Sequence, residues 1–347
     1  MSMELSIVRR RLEEKERSLS PYAVRSKQTR GRRISEEPSA VRTEFQRDRD
    51  RILHCKAFRR LKHKTQVFIA PVSDHFVTRL THTLEVSQVA RTIARGLNLN
   101  EDLAEPIALA HDIGHPPFGH AGEQALADLL PEGFRHAEQS LRVVDELERL
   151  NLTWETRDGI VNSSKVREDI FAEGYGTPAS LEGQIVKVSD AVAYINHDIA
   201  DALRADVIAE EELPKEVSEV LGRRHSERIN NLVCDIIENS WAATGETDVP
   251  VSEIRIEMSH KVAAAANTLR EFMFQRVYLW EGRREEAEQA RRVISVLYDH
   301  FMQYPDEMQT EFGVASDPLW RRVADFVSGM TDQFALATAE RLGARLH

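Results

Sequence analysis

In 347 residues the chain has two cysteines, Cys55 and Cys234. They lie far apart and lack the paired spacing of a zinc site, which excludes a disulfide scaffold and implies a reducing compartment. No apolar run approaches the ~18 residues needed to cross a bilayer. Residues 1–20 are too charged for a secretory signal, so the expectation is a cytoplasmic protein with no membrane contact. Alternating strand patterns, internal repeats and low-complexity segments are missing as well, which leaves an all-helical fold as the reading. There is no P-loop and no GxSxG elbow. The glycines of Gly174-Tyr175-Gly176-Thr177-Pro178 lack the strand and helix context of a dinucleotide motif, and that stretch reads as a loop between core helices.

Positive charge is outnumbered overall, but not everywhere. The net charge is −11, yet residues 1–66 carry 19 Lys/Arg against 9 Asp/Glu, leaving 27 against 48 in the remainder. A basic arm on an acidic body suits an anionic nucleotide site, an acidic neighbouring subunit or single-stranded nucleic acid, and it also suits a plain solvated arm. Pro21, Gly31 and Pro38 interrupt any long helix in residues 1–40, which read as a basic, partly flexible arm. With 41% hydrophobic residues, the rest is long enough to bury a large core as one large or two small domains.

The chemistry concentrates at His111-Asp112, inside Ala110-His111-Asp112-Ile113-Gly114-His115-Pro116-Pro117-Phe118-Gly119-His120. An ionisable pair directly behind Ile107-Ala108-Leu109-Ala110 enters a partly buried setting, where an unpartnered charge is costly and a metal ion is a natural partner. Two side chains do not complete a coordination sphere of four to six ligands, so further ligands come from elsewhere. His82 opens a helical pattern whose apolar positions are Val86, Val89, Ile93 and Leu97. In residues 188–203 the apolar positions Val188, Val192, Ile195, Ile199 and Leu203 fall at helical spacing. A second stripe of Asp190, Tyr194, Asp198 and Asp201 runs along another face. Carboxylates stacked in this way repel unless a cation or hydrogen-bonding ligand lies against them.

The order His82, His111-Asp112, Asp190 resembles the H...HD...D pattern of the HD-domain phosphohydrolases. The surrounding blocks resemble one branch, the dGTPase-like deoxynucleoside triphosphate triphosphohydrolases. Those blocks are Phe45 to Ile52, Ala57 to Leu61, Lys64-Thr65-Gln66-Val67, Arg79 to Val86, His111 to Glu123 and Asp190 to Asp198, spread over about residues 40–205. The resemblance implies one divalent ion held by His82, His111, Asp112 and Asp190. Mg or Mn is the usual ion, and the mixed nitrogen and carboxylate set also accepts Fe, Co, Ni or Zn. It implies hydrolysis at the alpha phosphorus of a dNTP, releasing deoxynucleoside and triphosphate, with the ion at an alpha-phosphate oxygen and an oriented water as nucleophile.

The same likeness suggests further roles. His120 and Glu123 sit three residues apart on a helix starting near Gly119 and form an imidazole–carboxylate dyad for protonating the leaving 5'-oxygen. His115 and His136 match additional active-site histidines that contact triphosphate oxygens. Tyr194 and Asp198, at i+4 and i+8 from Asp190, are placed for sugar packing and the 3'-hydroxyl. Gln66 is placed near the deoxyribose, where it would exclude a 2'-hydroxyl, and Arg60, Arg79 and Lys187 are candidate phosphate contacts. Homo-oligomers and a dNTP allosteric activator are also implied.

Two departures stand out: Pro106 falls within the helix leading to His111-Asp112, and Ala137 replaces a common Asn. Beyond the core, Ile229, Leu232, Val233, Ile236 and Ile237 form a stripe, Val262, Ala266, Leu269, Phe272 and Met273 a second, and Val293, Val296, Leu297 and Phe301 a third. Residues 318–343 read as one closing helix. The expected organisation is an arm over 1–40, an HD-domain helical core over 41–205, and additional C-terminal helices over 206–347 packed on that core. The functional alternatives are another HD phosphohydrolase, acting on nucleoside monophosphates or cyclic nucleotides, and a nucleotide-sensing or single-strand DNA-binding protein with little turnover.

Overall fold

The computed structural model describes residues 6–66, 77–163, 176–278, 281–308 and 313–344, so Val67, Gly174 and Tyr175 lie outside the described residues. Its α-helices are α1 (Ser6–Lys15), α2 (Glu44–His54), α3 (Lys56–Arg60), α4 (Arg79–Gly96), α5 (Glu101–Ala110), α6 (Gly119–Leu129), α7 (His136–Arg142) and α8 (Trp154–Val161). They continue with α9 (Leu181–Arg204), α10 (Lys215–Leu221), α11 (His225–Asn239), α12 (His260–Met273), α13 (Glu281–Gln303), α14 (Leu319–Ser328) and α15 (Asp332–Arg341). Among the described residues there is no β-strand, only single bridges between Arg32 and Thr153 and between Thr65 and Thr78. The fold is all-α. None of these helices is long and apolar enough to cross a membrane.

Three central helices carry the site, and each starts where its sequence supplies a cap. Thr78 and Thr81 cap α4 reciprocally, Asn100 accepts from the Asp102 amide at α5, and Ser180 accepts from the Gly183 amide at α9. Their apolar faces meet in one core: Val86, Val89 and Ile93 from α4, Leu103 and Ile107 from α5, and Ile185, Val192 and Ile199 from α9. Each such side chain contributes about 1.5–3 kcal/mol on burial. Leu232 and Ile236 of α11 and Ala266 and Leu269 of α12 join the same core. Pro106 does not break α5, which runs unbroken to Ala110 with the proline ring buried. It forgoes one backbone bond while the helix on either side stays packed.

A second cluster ties α6 to the C-terminal helices through Leu126, Val293, Leu297, Phe301, Val323 and Val327. The single closing helix expected over 318–343 is instead two helices, α14 and α15. Gly329 follows the end of α14, and Thr331 caps α15 by accepting from the Phe334 amide. The break turns the start of α15 toward the site.

Within the segment read as a basic arm, residues 16–32 are fastened to the body. The buried carboxylate of Glu16 accepts from Ser26 and Asn100, and Arg32 bridges Glu44 and Asp48. Much of the basic surplus around it is spent internally, with Arg33 on Glu146, Arg42 on Asp50, and Arg47 and Arg51 on Glu36.

Candidate active site

The four side chains expected to hold an ion arrive from three helices. His82 ends the first turn of α4, His111 and Asp112 leave the C-terminus of α5, and Asp190 lies midway along α9. Close packing of α4 on α5 and α9 brings them together. His82 Nε2 stands 3.2 Å from Asp190 Oδ1 and 3.9 Å from Asp112 Oδ2, and His111 Nε2 stands 3.5 Å from Asp112 Oδ1 and 3.9 Å from Asp190 Oδ1. His82, His111 and Asp112 are buried, and Asp190 is partly exposed.

Hydrogen bonding tests whether this set suits a cation. His111 Nδ1 lies 2.6 Å from the Ala108 carbonyl, which can only accept, so the ring proton sits on Nδ1. The lone pair is then on Nε2, which is buried and has no hydrogen-bond partner among the described residues. An orphaned imidazole nitrogen facing two carboxylates is what a divalent ion satisfies, and the residues fit one. Burial pushes the His82 pKa down to about 4, outweighing Asp190 and Asp112, so that ring is neutral and able to ligate at pH 7. For Asp112 burial acts upward, but His111, Arg79 and His82 win and hold the carboxyl well below its usual range.

The turn after Asp112 is held by shape. A Cβ on Gly114 would lie 2.2 Å from the Ser140 amide nitrogen, so only glycine allows the segment to rest on α7. Ser140 completes the joint, its Oγ accepting from the Gly114 amide and donating to the His111 carbonyl, 2.9 Å each. Phe118 and Gly119 both take positive φ, 66° and 57°, and launch α6. A bulky residue held there is strained. Asp332, at the start of α15, accepts from the Phe118 amide at 3.1 Å and from the Thr65 amide and hydroxyl at 3.0 and 2.5 Å. Beside it the buried Lys64 ammonium donates to the His115 and Ser328 carbonyls, and burial pushes its pKa down to about 7 despite Asp332.

A row of imidazoles leads outward from Asp112. His115 Nε2 is 3.4 Å from Asp112 Oδ1, and the His115 ring stacks on His136 at 4.0 Å. Glu123 holds two rings rather than the single partner expected. Oε2 lies 3.2 Å from His120 Nδ1, while Oε1 lies 2.8 Å from His136 Nδ1 and accepts from the His136 amide at 2.7 Å. Burial would raise the Glu123 pKa, but His136 and His120 hold it far below the usual range. His136, in turn, is raised against its own burial by Glu123 and Asp112. His120 is the exposed end of the row, with its side chain 65% accessible.

Arg79 stands against the ion set, its Nη1 2.6 Å from Asp112 Oδ2. Its Nε and Nη2 are buried and have no hydrogen-bond partner among the described residues. Gln66 reaches the same region: a Cβ on Gly119 would fall 2.9 Å from Arg79 Nη2 and 3.4 Å from the Gln66 carbonyl.

The other candidates are placed less directly. Tyr194 is partly exposed on α9, its ring 6.1 Å from that of His197. Asp198 is fully buried, with Oδ1 2.8 Å from His197 Nδ1. Lys187 donates to the Gly176 carbonyl at 3.0 Å. Arg60 donates to the Gly329 carbonyl at 3.4 Å and lines a cavity of about 140 Å³ with Lys56, Lys64 and Gly114, to which none of the four ion-facing residues contributes. Sequence reasoning missed His197, Ser140, Lys64 and Asp332. For His197 a signal existed, since His197-Asp198 is a second adjacent imidazole–carboxylate pair.

Comparison with known proteins matches residues 79–195 to the HD domain and residues 256–341 to the phosphohydrolase-associated domain. The chain is 50% identical over 324 residues to a deoxyguanosinetriphosphate triphosphohydrolase-like protein of Caldanaerobacter subterraneus subsp. tengcongensis, covering 92% of this chain and 90% of the relative. Proteins of the same description from Clostridium tetani and Desulfatibacillum aliphaticivorans are 44% and 43% identical. The first alignment covers 97% of this chain and 96% of the relative, the second 96% and 97%.

Proposed function

Because the chain belongs to the HD-domain phosphohydrolases, among the deoxyguanosinetriphosphate triphosphohydrolase-like proteins, we propose that it hydrolyses deoxynucleoside triphosphates to deoxynucleoside and inorganic triphosphate. The observation that carries this reading is Arg79, a buried guanidinium with two partnerless nitrogens beside the ion-facing quartet. Buried donors of this kind are satisfied by an anion, and a guanidinium suits a phosphate in particular. The imidazole row His115, His136, His120 continues from that point outward, a line of ring N–H donors suited to a chain of phosphates rather than to a single one.

When bound, a divalent ion at His82, His111, Asp112 and Asp190 supplies charge neutralisation at the alpha phosphate and acidifies the attacking water. Arg79 holds a phosphate oxygen through Nε and Nη2 while its Nη1 stays on Asp112. Water attacks the alpha phosphorus, the bond from phosphorus to the 5'-oxygen breaks, and the attacking oxygen stays on the triphosphate while its proton is lost to solvent. The leaving oxygen takes its proton from His120, which Glu123 orients through Nδ1 so that Nε2 is the donor. His115 and His136 hold the triphosphate, Gln66 closes the space beside the sugar, and Tyr194 offers its ring to it.

Incubating Mn²⁺-loaded protein with each dNTP singly and in mixtures tests the proposal by product identity. Triphosphate and deoxynucleoside in equal amounts support it. Monophosphate or free orthophosphate as the first product would instead assign the chain to another HD phosphohydrolase activity. Turnover seen only in mixtures would reveal an activating dNTP.

A further inference from the structure

His82 touches more than the ion set. Its Nδ1 lies 2.8 Å from His197 Nε2, the two rings meeting edge to face at 4.9 Å and 85°. On the far side of that ring, His197 Nδ1 lies 2.8 Å from Asp198 Oδ1. His82, His197 and Asp198 are exposed by 1%, 1% and 0%. With all three buried, the proton positions along the chain depend on which protein groups touch each ring.

Proton counting orders the contacts. Only one ring can donate across the His82–His197 contact. If His197 donated, the His82 proton would sit on Nε2, pointing at Asp190, and no lone pair would remain for a cation. At 2.8 Å a lone pair on His197 Nδ1 would be repelled by the Asp198 carboxylate, so the contact favours the His197 tautomer with its proton on Nδ1 although it lies outside hydrogen-bonding alignment. His197 Nε2 is then the acceptor, His82 Nδ1 the donor, and the His82 lone pair falls on Nε2, which faces Asp190 and Asp112. His111 reaches the same state through the Ala108 carbonyl.

We propose that His197, backed by Asp198, is a positioning residue that fixes the tautomer and ring orientation of His82 for metal binding. The Asp198 carboxylate thereby works behind the metal site. The inference rests on the quartet being a cation site and does not depend on the substrate. Outer partners of metal-bound histidines typically govern affinity by 10–100-fold.

The test is calorimetric titration of the full-length protein with Mn²⁺, comparing wild type, His197→Leu and His197→Gln, with the urea midpoint of each metal-free protein recorded alongside. Leucine removes the acceptor and should weaken Mn²⁺ binding by roughly 10–100-fold. Glutamine, whose Oε1 can accept from His82 Nδ1, should stay within about threefold of wild type, a rescue that a merely space-filling role would not give. Leucine binding Mn²⁺ as tightly as wild type, or glutamine as weakly as leucine, overturns the inference. Should a variant fail to fold, long-range proton–nitrogen NMR of the Zn²⁺-loaded wild type decides. The expected pattern is protonated Nδ1 on both rings, and His82 protonated at Nε2 refutes it. A wild type that binds no Mn²⁺ counts against the metal reading of the quartet itself.

Discussion

Replacing Asp332 with alanine should damage both stability and catalysis, although the residue belongs to the last helix. Its carboxylate is 2% exposed and accepts from the Phe118 amide and from the Thr65 amide and hydroxyl. The threonine hydroxyl can turn to another acceptor, but the two backbone amides are left without one. At about 1.5–3 kcal/mol for each bond to a charged acceptor, and with incomplete additivity, the loss comes to about 3–5 kcal/mol. Phe118 holds φ of 66°, a conformation costing on the order of 1–3 kcal/mol that persists only while its surroundings enforce it. Freed of Asp332, the turn should relax and carry His120 out of place. A displacement of about 1 Å costs on the order of 10²-fold in rate. Urea unfolding and kcat measured on Asp332→Ala and Asp332→Asn check both parts, with asparagine intermediate because one acceptor oxygen survives. An alanine variant within about 0.5 kcal/mol of wild type, or destabilised but with unchanged kcat, would refute the coupling between the C-terminal helices and the catalytic turn.

Asp112→Ala should abolish turnover and bound metal. It should also cost about 3–5 kcal/mol, because Arg79 is left buried without its partner; metal analysis and urea unfolding read these separately, and retained metal would contradict the ligand assignment. His120→Ala should lower kcat by roughly 10²–10⁴-fold while metal content stays near wild type, since His120 is exposed and, among the described residues, its side-chain hydrogen bond goes to Glu123 rather than to an ion-facing residue; full activity would remove it as the acid. Glu182 is fully buried, accepts from the Val24 and Asn100 amides, and is pushed up to about 7 by burial. A raised carboxyl contributes stability that is complete below its unfolded value near 4.5 and is lost as pH rises through 7. Glu182→Gln should therefore flatten the wild-type decline between pH 5 and 8, which amounts to about 3 kcal/mol at most; identical pH profiles would refute the shift.

How legible the site was depends on distance along the chain. Local pattern marks His111-Asp112 and the stripe of Asp190, Tyr194, Asp198 and Asp201, but it is the resemblance that joins His82 and Asp190 to the pair, and the structure brings the four side chains together. Glu123 and His120 are one helical turn apart, so local spacing pairs them, whereas the Glu123 bond to His136 crosses a loop and has no local signal. Helical spacing places Asp198 on the Asp190 face but gives angle and not depth. The structure puts it at 0% exposure against His197. Arg60 followed the blocks of resemblance, yet its guanidinium turns to Gly329, a residue whose position only the C-terminal packing fixes. Lys64 and Asp332 join segments more than 250 residues apart, and no local periodicity encodes such a contact. The closing helix was misread because hydrophobic spacing continues across Gly329-Met330-Thr331, while the glycine and the threonine cap were the signals that mattered.

The central claim is that one cation is shared by two imidazoles and two carboxylates. A crystal of the protein grown with Mn²⁺, with data collected near the manganese absorption edge, tests it most directly. The account predicts a single strong anomalous peak per chain, about 2.0–2.3 Å from His82 Nε2, His111 Nε2 and a carboxylate oxygen each of Asp112 and Asp190. A peak bound elsewhere, or these four side chains empty at saturating Mn²⁺, would contradict it.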